Sequence, residues 1–394
     1  MEVVKRRNRA FILSFISRSG PISRKDIAAE LGLTPASVTQ ISSEFMNIGL
    51  LKELGTLEEE GRPGRKKVLV DINYEYRNLF AVNIETARTT VALTNLKGEA
   101  KVKRELKTDK NAAPEEFLAR IADICREIQK EADVSKEQIA GAGVCIIGLV
   151  DPAKGISNHA YGIWNKPVPV AKILSGLLQV PVFLENNVTA FAQAEMLFGI
   201  GREKDHLLFV KWGPGVGSAI VTDKKVYEGR NGRAAELGHF IVEKNGELCS
   251  CGRRGCLETR VSYGALRRQL GSVLSKTETP ELFRLLDGSI ENLNKEKLFQ
   301  VIDHPDEKVR QILEERMDLF ARTIVNCMTI LAPNRVVLCG EMFQSETLRR
   351  KIIEACKYYD SRYDETKIVY TGLANREDYI GAAAHFINAY LYRE

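Results

Sequence analysis

The sequence predicts a mixed α/β protein in which an N-terminal winged helix-turn-helix precedes two α/β lobes. Between residues 8 and 48 apolar side chains recur at helical spacing, and from residue 79 onward buried strands alternate with helices. In that later part the order strand-strand-strand-helix-strand starts twice. This order is typical of two α/β lobes with a cleft between them.

The length and composition fit a globular protein of more than one domain. The 394 residues exceed what one core usually spans, and 44% hydrophobic and 28% charged residues are ordinary values. The longest apolar run, 139–150, is too short to span a bilayer, and the N-terminus lacks the apolar segment of a signal peptide. We therefore expect a cytoplasmic protein with no membrane partner.

Three helices are predicted in the first fifty residues. The first spans 8–18; Ser23 caps the second, which ends at Gly32, and Thr34 caps the third, which ends at Gly49. Two short helices joined by a tight glycine turn match a helix-turn-helix, whose second helix would enter the major groove of DNA. The same pattern also fits a purely structural three-helix bundle.

The third predicted helix and the loop that follows it favour DNA binding. Residues 50–54 and 67–70 could pair as a two-stranded wing. A Gly/Pro loop with several cations lies between them, and such a loop suits a minor groove, whose negative potential attracts arginine. We assign residues 1–72 to a winged helix-turn-helix DNA-binding domain. Its candidate DNA contacts are Ser37, Thr39, Gln40 and Ser43 on the helix, and Arg62, Arg65 and Lys66 in the loop.

The two α/β lobes are predicted over residues 76–200 and 201–377. The first lobe begins with strands over 79–84, 90–94 and 100–106, followed by a helix over 114–131 and a strand over 139–147. The second lobe begins the same order with strands over 207–210 and 217–221. The five cysteines outside residues 249–256 are scattered through apolar segments, and we expect them to be buried free thiols.

A compact set of metal-ligand residues lies in the second predicted lobe. Cys249, Cys251 and Cys256 fall within eight residues, and His239 lies ten residues before the first of them. Three thiolates and an imidazole form a complete tetrahedral ligand set for structural zinc, and Arg253 and Arg254 beside them would offset part of the negative charge. The alternative is a disulfide, which needs an oxidising compartment that nothing in the sequence indicates.

The motif around this predicted zinc site resembles that of the ROK family (repressor, open reading frame, kinase). The resemblance is carried by E-L-G-H at 236–239 and C-S-C-G-R-R-G-C-L-E at 249–258. It implies a structural zinc held by the histidine and the three cysteines, with sugar hydroxyls contacted by Glu236, His239 and Glu258.

The resemblance also implies the architecture of the chain. ROK proteins have the two-lobed ribonuclease H-like fold of actin and sugar kinases. Their last helices return to the first lobe, and residues 378–392 are the candidate for that return. The Gly/Pro loop after the predicted helix-turn-helix resembles the wing of the family's sugar-responsive repressor branch.

Kinases of this family need two phosphate loops and a carboxylate base, and the sequence departs from these requirements. Glu85 stands where the first loop has glycine, and a carboxylate there would repel phosphate. Asn187 stands where the base is Asp, and a neutral amide cannot accept a proton from a sugar hydroxyl. The second loop, 213–217, contains a proline and is interpreted as a hairpin. Asn186 and Asn187 remain candidate sugar contacts.

A further departure comes late in the sequence, where Cys339-Gly340-Glu341 replaces the Gly-Gly step that admits adenosine in the kinases. These losses beside a retained sugar and zinc motif favour a binding protein over an enzyme. We predict a sugar-responsive DNA-binding regulator, a repressor of carbohydrate-utilisation genes. Its partners would be a double-stranded DNA operator, a small-molecule sugar effector, and a second copy in a homodimer or higher even oligomer. Two alternatives remain: an active ATP-dependent sugar kinase with an attached DNA-binding domain, and a ligand-independent regulator.

Overall fold

The computed structural model describes residues 2–57, 67–202, 204–229 and 234–392. It divides into two compact units: unit 1 comprises residues 1–198 and 378–394, and unit 2 comprises residues 199–377. Residues 1–72 therefore belong to the same compact unit as the first α/β lobe.

The N-terminal module of unit 1 contains three helices and a three-stranded antiparallel sheet in the order β1-β3-β2. Its elements are α1 (Glu2–Ser19), β1 (Ile22–Ser23), α2 (Arg24–Leu31), α3 (Pro35–Asn47), β2 (Leu51–Leu57) and β3 (Lys67–Ile72). The predicted caps are present, because Ser23 Oγ accepts a hydrogen bond from the Asp26 amide and Thr34 Oγ1 accepts one from the Ser37 amide, each at 3.2 Å. The two-residue strand β1 was not predicted, since it is defined by its pairing with β3.

The α/β lobe of unit 1 is built on a five-stranded sheet. Two helices pack on one face of this sheet and share a hydrophobic core with it. Its elements are β4 (Asn78–Ile84), β5 (Arg88–Asn95), β6 (Ala100–Lys107), α4 (Pro114–Glu131), β7 (Ile139–Ile146), β8 (Leu149–Asp151), β9 (Ile156–His159), α5 (Val170–Leu178), β10 (Val182–Asn186) and α6 (Asn187–Phe198). The amphipathic helix α4 buries Phe117, Leu118 and Ile121 against the sheet, and α5 packs beside it.

Unit 2 has its own sheet and a core centred on Trp212. Its elements are β11 (Leu207–Trp212), β12 (Val216–Thr222), β13 (Lys225–Val226), α7 (Glu258–Val261), α8 (Tyr263–Ser272), α9 (Pro280–Leu285), α10 (Lys295–Asp303), α11 (Glu307–Leu331), β14 (Arg335–Cys339), α12 (Glu346–Tyr359) and β15 (Ile368–Tyr370). The buried Trp212 ring packs edge-on against Phe320 and Phe343, and its Nε1–H donates to the Val261 carbonyl at 2.7 Å.

The two five-stranded sheets share one topology. The order is β6-β5-β4-β7-β10 in unit 1 and β13-β12-β11-β14-β15 in unit 2, which is 3-2-1-4-5 when the strands of each sheet are numbered separately. In both, strands 1 to 3 are antiparallel neighbours and strands 4 and 5 run parallel to strand 1. This repeated order confirms the predicted two-lobed ribonuclease H-like fold class.

The helix α13 (Ile380–Leu391) covers the second face of the unit 1 sheet, where it packs on α6, β4 and β7. The approach is close: a Cβ atom on Gly143 of β7 would lie 2.0 Å from the Ala382 carbonyl oxygen. Directly after α13, the Tyr392 phenol hydrogen-bonds with the hydroxyl of Ser17 in α1, and α1 and α13 are in contact. The N-terminal module is therefore joined to the helix that completes the lobe.

The five cysteines outside the metal-ligand motif are buried thiols that form no disulfide, as predicted. Burial raises the pKa of the Cys327 thiol to about 11 and that of Cys356 to about 12, because the thiolate form is poorly solvated there. Within the described ranges, the helices are all too short or too polar to span a membrane.

Candidate functional site

The four predicted zinc ligands converge in unit 2. One ligand atom from each of His239, Cys249, Cys251 and Cys256 lies within 4.8 Å of all the others. The Sγ atoms of Cys251 and Cys256 are 3.7 Å apart, and Cys249 Sγ lies 3.6 Å from His239 Nδ1. A disulfide would bring two sulfurs to about 2.05 Å, so the thiols are not bonded to one another.

These distances fit a tetrahedral zinc ion. Bonds of about 2.3 Å to sulfur and about 2.05 Å to imidazole nitrogen imply sulfur–sulfur edges of about 3.8 Å and sulfur–nitrogen edges of about 3.6 Å. The two measured separations, 3.7 Å and 3.6 Å, agree with these edges. Four protein ligands would leave no position for a substrate, so a metal held here would lie in a closed site.

The loop that carries the three cysteines is held by its own backbone. The Cys249 amide donates to the Arg253 carbonyl at 2.8 Å, and residues 241 and 256 pair in an antiparallel bridge. Gly255 has a φ of 71°, and a Cβ atom there would lie 1.7 Å from the Glu243 carbonyl oxygen. Only glycine therefore fits at this position, and it allows the loop to turn back toward Cys256.

Of the two arginines that the sequence placed beside the thiolates, Arg253 contacts this centre. Its Nε donates to Cys251 Sγ at 3.4 Å, and its Nη2 donates to Glu236 Oε2 at 3.1 Å. Burial opposes ionisation of the Cys251 thiol, but the hydrogen bond from Arg253 helps to hold its pKa below the usual value. Burial raises the pKa of the Cys256 thiol to about 12. The link from Arg253 to Glu236 was not predicted.

The carboxylate of Glu258 lies against the second glycine-rich turn. Glu258 is the first residue of α7, and its Oε2 accepts a hydrogen bond from the Val216 amide at 3.1 Å. A Cβ atom on Gly215 would lie 2.6 Å from the same oxygen. The turn 213–217 joins two antiparallel strands, as the predicted hairpin requires. The Glu258 carboxylate thus already accepts the hydrogen bond of an amide that a phosphate-binding turn would offer to an anion.

Glu341 also lies beside this turn, since its amide nitrogen is 3.9 Å from the position of a Cβ atom on Gly213. The sequence gap between these two residues is large, and the parallel pairing of β11 with β14 brings the ends of the two strands together. The second glycine-rich turn is therefore next to two glutamates that the sequence places far apart.

In unit 1 the structure brings together two residues that depart from the kinase pattern. Asn187 Nδ2 donates to Glu85 Oε1 at 3.3 Å, although the two residues are 102 positions apart in the sequence. Glu85 follows β4 and Asn187 begins α6, and the strands β4, β7 and β10 run parallel, so their carboxyl ends meet at one edge of the sheet. Two substitutions that lie far apart in the sequence thus form one contact in the structure.

Asn186 has a structural role that the sequence did not reveal. Its Oδ1 accepts hydrogen bonds from the amides of Val188 and Thr189 at 2.8 and 3.3 Å, which caps α6, and its Nδ2 donates to the Gly148 carbonyl at 2.8 Å. Both ends of the amide are therefore used within unit 1.

The candidate DNA-contact residues of α3 differ in exposure. Thr39 and Gln40 are exposed, whereas Ser37 and Ser43 are partly buried, and the Ser37 hydroxyl also bonds to the capping Thr34 at 3.0 Å. Thr39 and Gln40 are thus the residues of this set most available to a ligand. The loop residues Arg62, Arg65 and Lys66 lie outside the described residues.

Glu44 fixes α3 on α1, which the sequence gave no signal to predict. Its carboxylate accepts from Lys5 Nζ at 2.8 Å, pairs with Arg9 and accepts from Gln40 Nε2 at 3.4 Å. The contacts to Lys5 and Arg9 join residues 39 and 35 positions apart, so no local pattern could indicate them.

Comparison with known proteins relates this fold to regulators and kinases. A xylose repressor of Caldicellulosiruptor bescii is 24% identical over 98% of this chain and 96% of its own length. A glucokinase of Thermotoga maritima is 29% identical over 69% of this chain and 87% of its own length. A crystal structure of the ROK family transcriptional regulator, homolog of E. coli MLC protein, superposes with a TM-score of 0.81 at 25% identity, covering 99% of this chain and 97% of that one.

A sequence model of the ROK family matches residues 79–389, which is most of the chain. The matched region includes the four clustered metal-ligand residues and both sheets with the repeated strand order. The chain therefore belongs to the ROK family.

Proposed function

We propose that this protein is a sugar-responsive transcriptional regulator that represses carbohydrate-utilisation genes. The observation that carries the proposal is the similarity to a ROK transcriptional regulator over 99% of the chain, a span that includes the N-terminal helices as well as both α/β units. The similarity to the xylose repressor likewise extends over 98% of this chain. The N-terminal module acts as a winged helix-turn-helix, with Thr39 and Gln40 of α3 facing the DNA bases.

Zinc is the proposed structural metal, and His239, Cys249, Cys251 and Cys256 are its ligands. The support is the agreement of the measured sulfur–sulfur and sulfur–nitrogen separations with a tetrahedral site. When bound, the ion fixes the loop and so the residues that flank it. The ring of His239 meets Cys249 through Nδ1, which directs its Nε2 away from the centre.

The proposed sugar contacts in unit 2 are Glu236, His239 and Glu258. Asn186 and Asn187 in unit 1 stay predictions from the sequence. Carboxylates and amides accept and donate the hydrogen bonds that sugar hydroxyls need. A sugar that prefers the DNA-free arrangement of the protein would weaken operator binding by the ratio of its two affinities. Xylose, glucose and N-acetylglucosamine are the sugars to test first.

The protein is proposed to lack kinase activity. Asn187 cannot act as a general base, and it is paired with the Glu85 carboxylate at 3.3 Å. In unit 2, Glu258 already accepts the hydrogen bond of the Val216 amide. The similarity to a glucokinase keeps the kinase alternative open to a direct test. ATP-dependent turnover of glucose above a no-enzyme control would establish it.

A homodimer is the proposed DNA-binding form. One helix-turn-helix contacts one half-site, and a second copy is needed to read a palindromic operator. Sedimentation of the purified protein, alone and with operator, measures this directly, and a monomer on DNA would contradict it.

The experiment that tests the proposed function is selection from a random DNA duplex pool, followed by titration of the selected duplex with each sugar. The full-length protein should enrich a palindromic sequence, and one of the sugars should release it. The Thr39→Ala/Gln40→Ala variant is the matched control for specific binding. Failure of the wild-type protein to enrich any sequence would refute the regulator proposal.

A further inference from the structure

We propose that Arg253 is a positioning residue that couples the metal centre to Glu236, one of the sugar contacts. The inference rests on the proposed zinc and sugar sites. It adds a residue through which the binding of the metal affects the binding of the sugar. Arg253 is neither a metal ligand nor one of the sugar contacts implied by the sequence motif.

Three contacts hold Arg253 in place. Its Nε donates to Cys251 Sγ at 3.4 Å, its Nη2 donates to Glu236 Oε2 at 3.1 Å, and its carbonyl accepts from the Cys249 amide at 2.8 Å. Two of these contacts are to metal-ligand residues and the third is to Glu236. The planar guanidinium presents donors in a fixed fork, so it can bond to a thiolate and a carboxylate at the same time.

The backbone and the side chain of Glu236 are anchored from different sides. Ser218 of β12 accepts from the Leu237 amide at 3.2 Å and donates to the Ala235 carbonyl, which fixes the backbone around Glu236 to the sheet. The side chain of Glu236 is 31% exposed and is held by Arg253. Removing the guanidinium would leave the carboxylate free to change rotamer, and a sugar would then have to order it on binding.

The charge of the metal centre explains why bound zinc affects the contact between Arg253 and Glu236. Three thiolates around a divalent zinc ion carry a net charge of about −1, which attracts the guanidinium to the Cys251 sulfur. The same guanidinium is then directed at Glu236. Loss of the metal would let the sulfurs separate, and Arg253 would no longer have a fixed anion on that side.

An ordinary surface ion pair is the competing interpretation, because the Arg253 side chain is 46% exposed. Such pairs contribute little to stability, so unfolding measurements would not separate the two interpretations. The neighbouring Arg254 is also exposed and has the same charge, which makes it the matched control.

The test compares Arg253→Ala, Arg253→Lys, Glu236→Ala and the Arg253→Ala/Glu236→Ala double variant with Arg254→Ala. The first readout is the rate of zinc transfer to a chromogenic chelator. We expect Arg253→Ala to speed transfer by about tenfold, as the loss of other residues that contact metal ligands does. Glu236→Ala should speed it less, and the double variant no more than Arg253→Ala alone, because both changes break one chain of contacts.

The second readout is the calorimetric affinity for xylose, glucose and N-acetylglucosamine. Arg253→Ala with zinc bound should lose about tenfold in affinity for the sugar that the wild type binds. Arg253→Lys should lose nearly as much, since a single ammonium cannot bridge both partners. Arg254→Ala should match the wild type in both readouts.

The two proposals fail in different ways. Additive effects of the two single changes on zinc transfer, or Arg253→Ala protein with the sugar affinity of Arg254→Ala, would overturn the role of Arg253. A wild-type protein that binds none of the three sugars would instead count against the proposed sensing, and the zinc-transfer cycle would still decide whether Arg253 links Cys251 to Glu236.

Discussion

Replacing Asn187 by Asp tests whether the Glu85–Asn187 contact excludes a catalytic carboxylate from this position. In the structure the Asn187 amide donates to Glu85 Oε1 at 3.3 Å. Aspartate has nearly the same shape but no donor, so the variant would place two carboxylates where an amide and a carboxylate now meet. We expect the single change to destabilise unit 1 and to leave the protein inactive as a kinase.

The size of the effect follows from the separation. Two unit charges 3.3 Å apart repel by about 5 kcal/mol at an effective dielectric constant of about 20, and by about 1.3 kcal/mol in bulk water. One of the two carboxyls can escape the repulsion by taking up a proton. For a carboxyl of pKa about 4, protonation at pH 7 costs roughly 4 kcal/mol, and the loss of stability cannot exceed this cost. Both side chains are partly buried, so we expect a loss of about 1–4 kcal/mol in the free energy of unfolding at pH 7.

The pH dependence has a definite sign. The two carboxylates would share a proton, so the pKa of one of them is higher in the folded variant than in its unfolded chain. The folded state then binds more protons, and its stability falls as the pH rises from about 4 through the raised pKa. The variant should therefore approach the stability of the wild type near pH 4 and show its full deficit at pH 7–8.

Urea unfolding at several pH values measures this deficit as a shift in midpoint at constant slope. The informative control is Glu85→Gln/Asn187→Asp, in which the amide and the carboxylate have exchanged places and the hydrogen bond can form again. Glu85→Gln alone corrects for the other contacts of that residue. A deficit that is the same at pH 4 and pH 7.5, or one that the exchanged pair does not reduce, would refute this reasoning.

Three further predictions concern the metal loop, the DNA surface, and the contact between α1 and the residue that follows α13. Gly255→Ala should lower bound zinc below one ion per chain in metal analysis, whereas Gly252→Ala, where a Cβ atom meets open space, should retain it; equal zinc contents would contradict the clash. Thr39→Ala/Gln40→Ala should weaken operator binding by about 1–3 kcal/mol per lost base contact in a gel-shift titration while leaving the urea midpoint unchanged, and unaltered binding would exclude these two residues as base contacts. Tyr392→Phe should lower the free energy of unfolding by about 0.5–1.5 kcal/mol and reduce the release of operator by sugar; full release would show that this hydrogen bond does not transmit the signal.

Local patterns in the sequence predicted the helices of the N-terminal module and the first strands of each lobe. The caps at Ser23 and Thr34 were predicted because their side chains bond to amides only three residues away. The repeated strand order followed from the alternation of apolar runs. The pairing of β1 with β3 was not predicted, because a two-residue strand has no periodicity and is defined by its partner.

The parts of the site whose residues are close in the sequence could be predicted. The contacts between residues that only the fold brings together could not. The three cysteines are close in sequence, so their convergence with His239 could be expected, and the structure brings them within 4.8 Å. The contact between Asn187 and Glu85 depends on the register of parallel strands. The bridge from Arg253 to Glu236 depends on side-chain rotamers, which sequence spacing does not define.

The position of α13 has a consequence for the synthesis of this protein. The helix covers one face of the unit 1 sheet, and its Ile380, Phe386 and Ile387 side chains are fully buried. On the ribosome that face must stay uncovered until residues 199–377 have been translated, which takes about 10 to 35 s at about 5–20 residues per second. During this interval unit 2 can fold while the nascent first lobe still exposes apolar surface, so we expect chaperone dependence to be greatest in this window. Chains released before α13 emerges should aggregate rather than bind DNA.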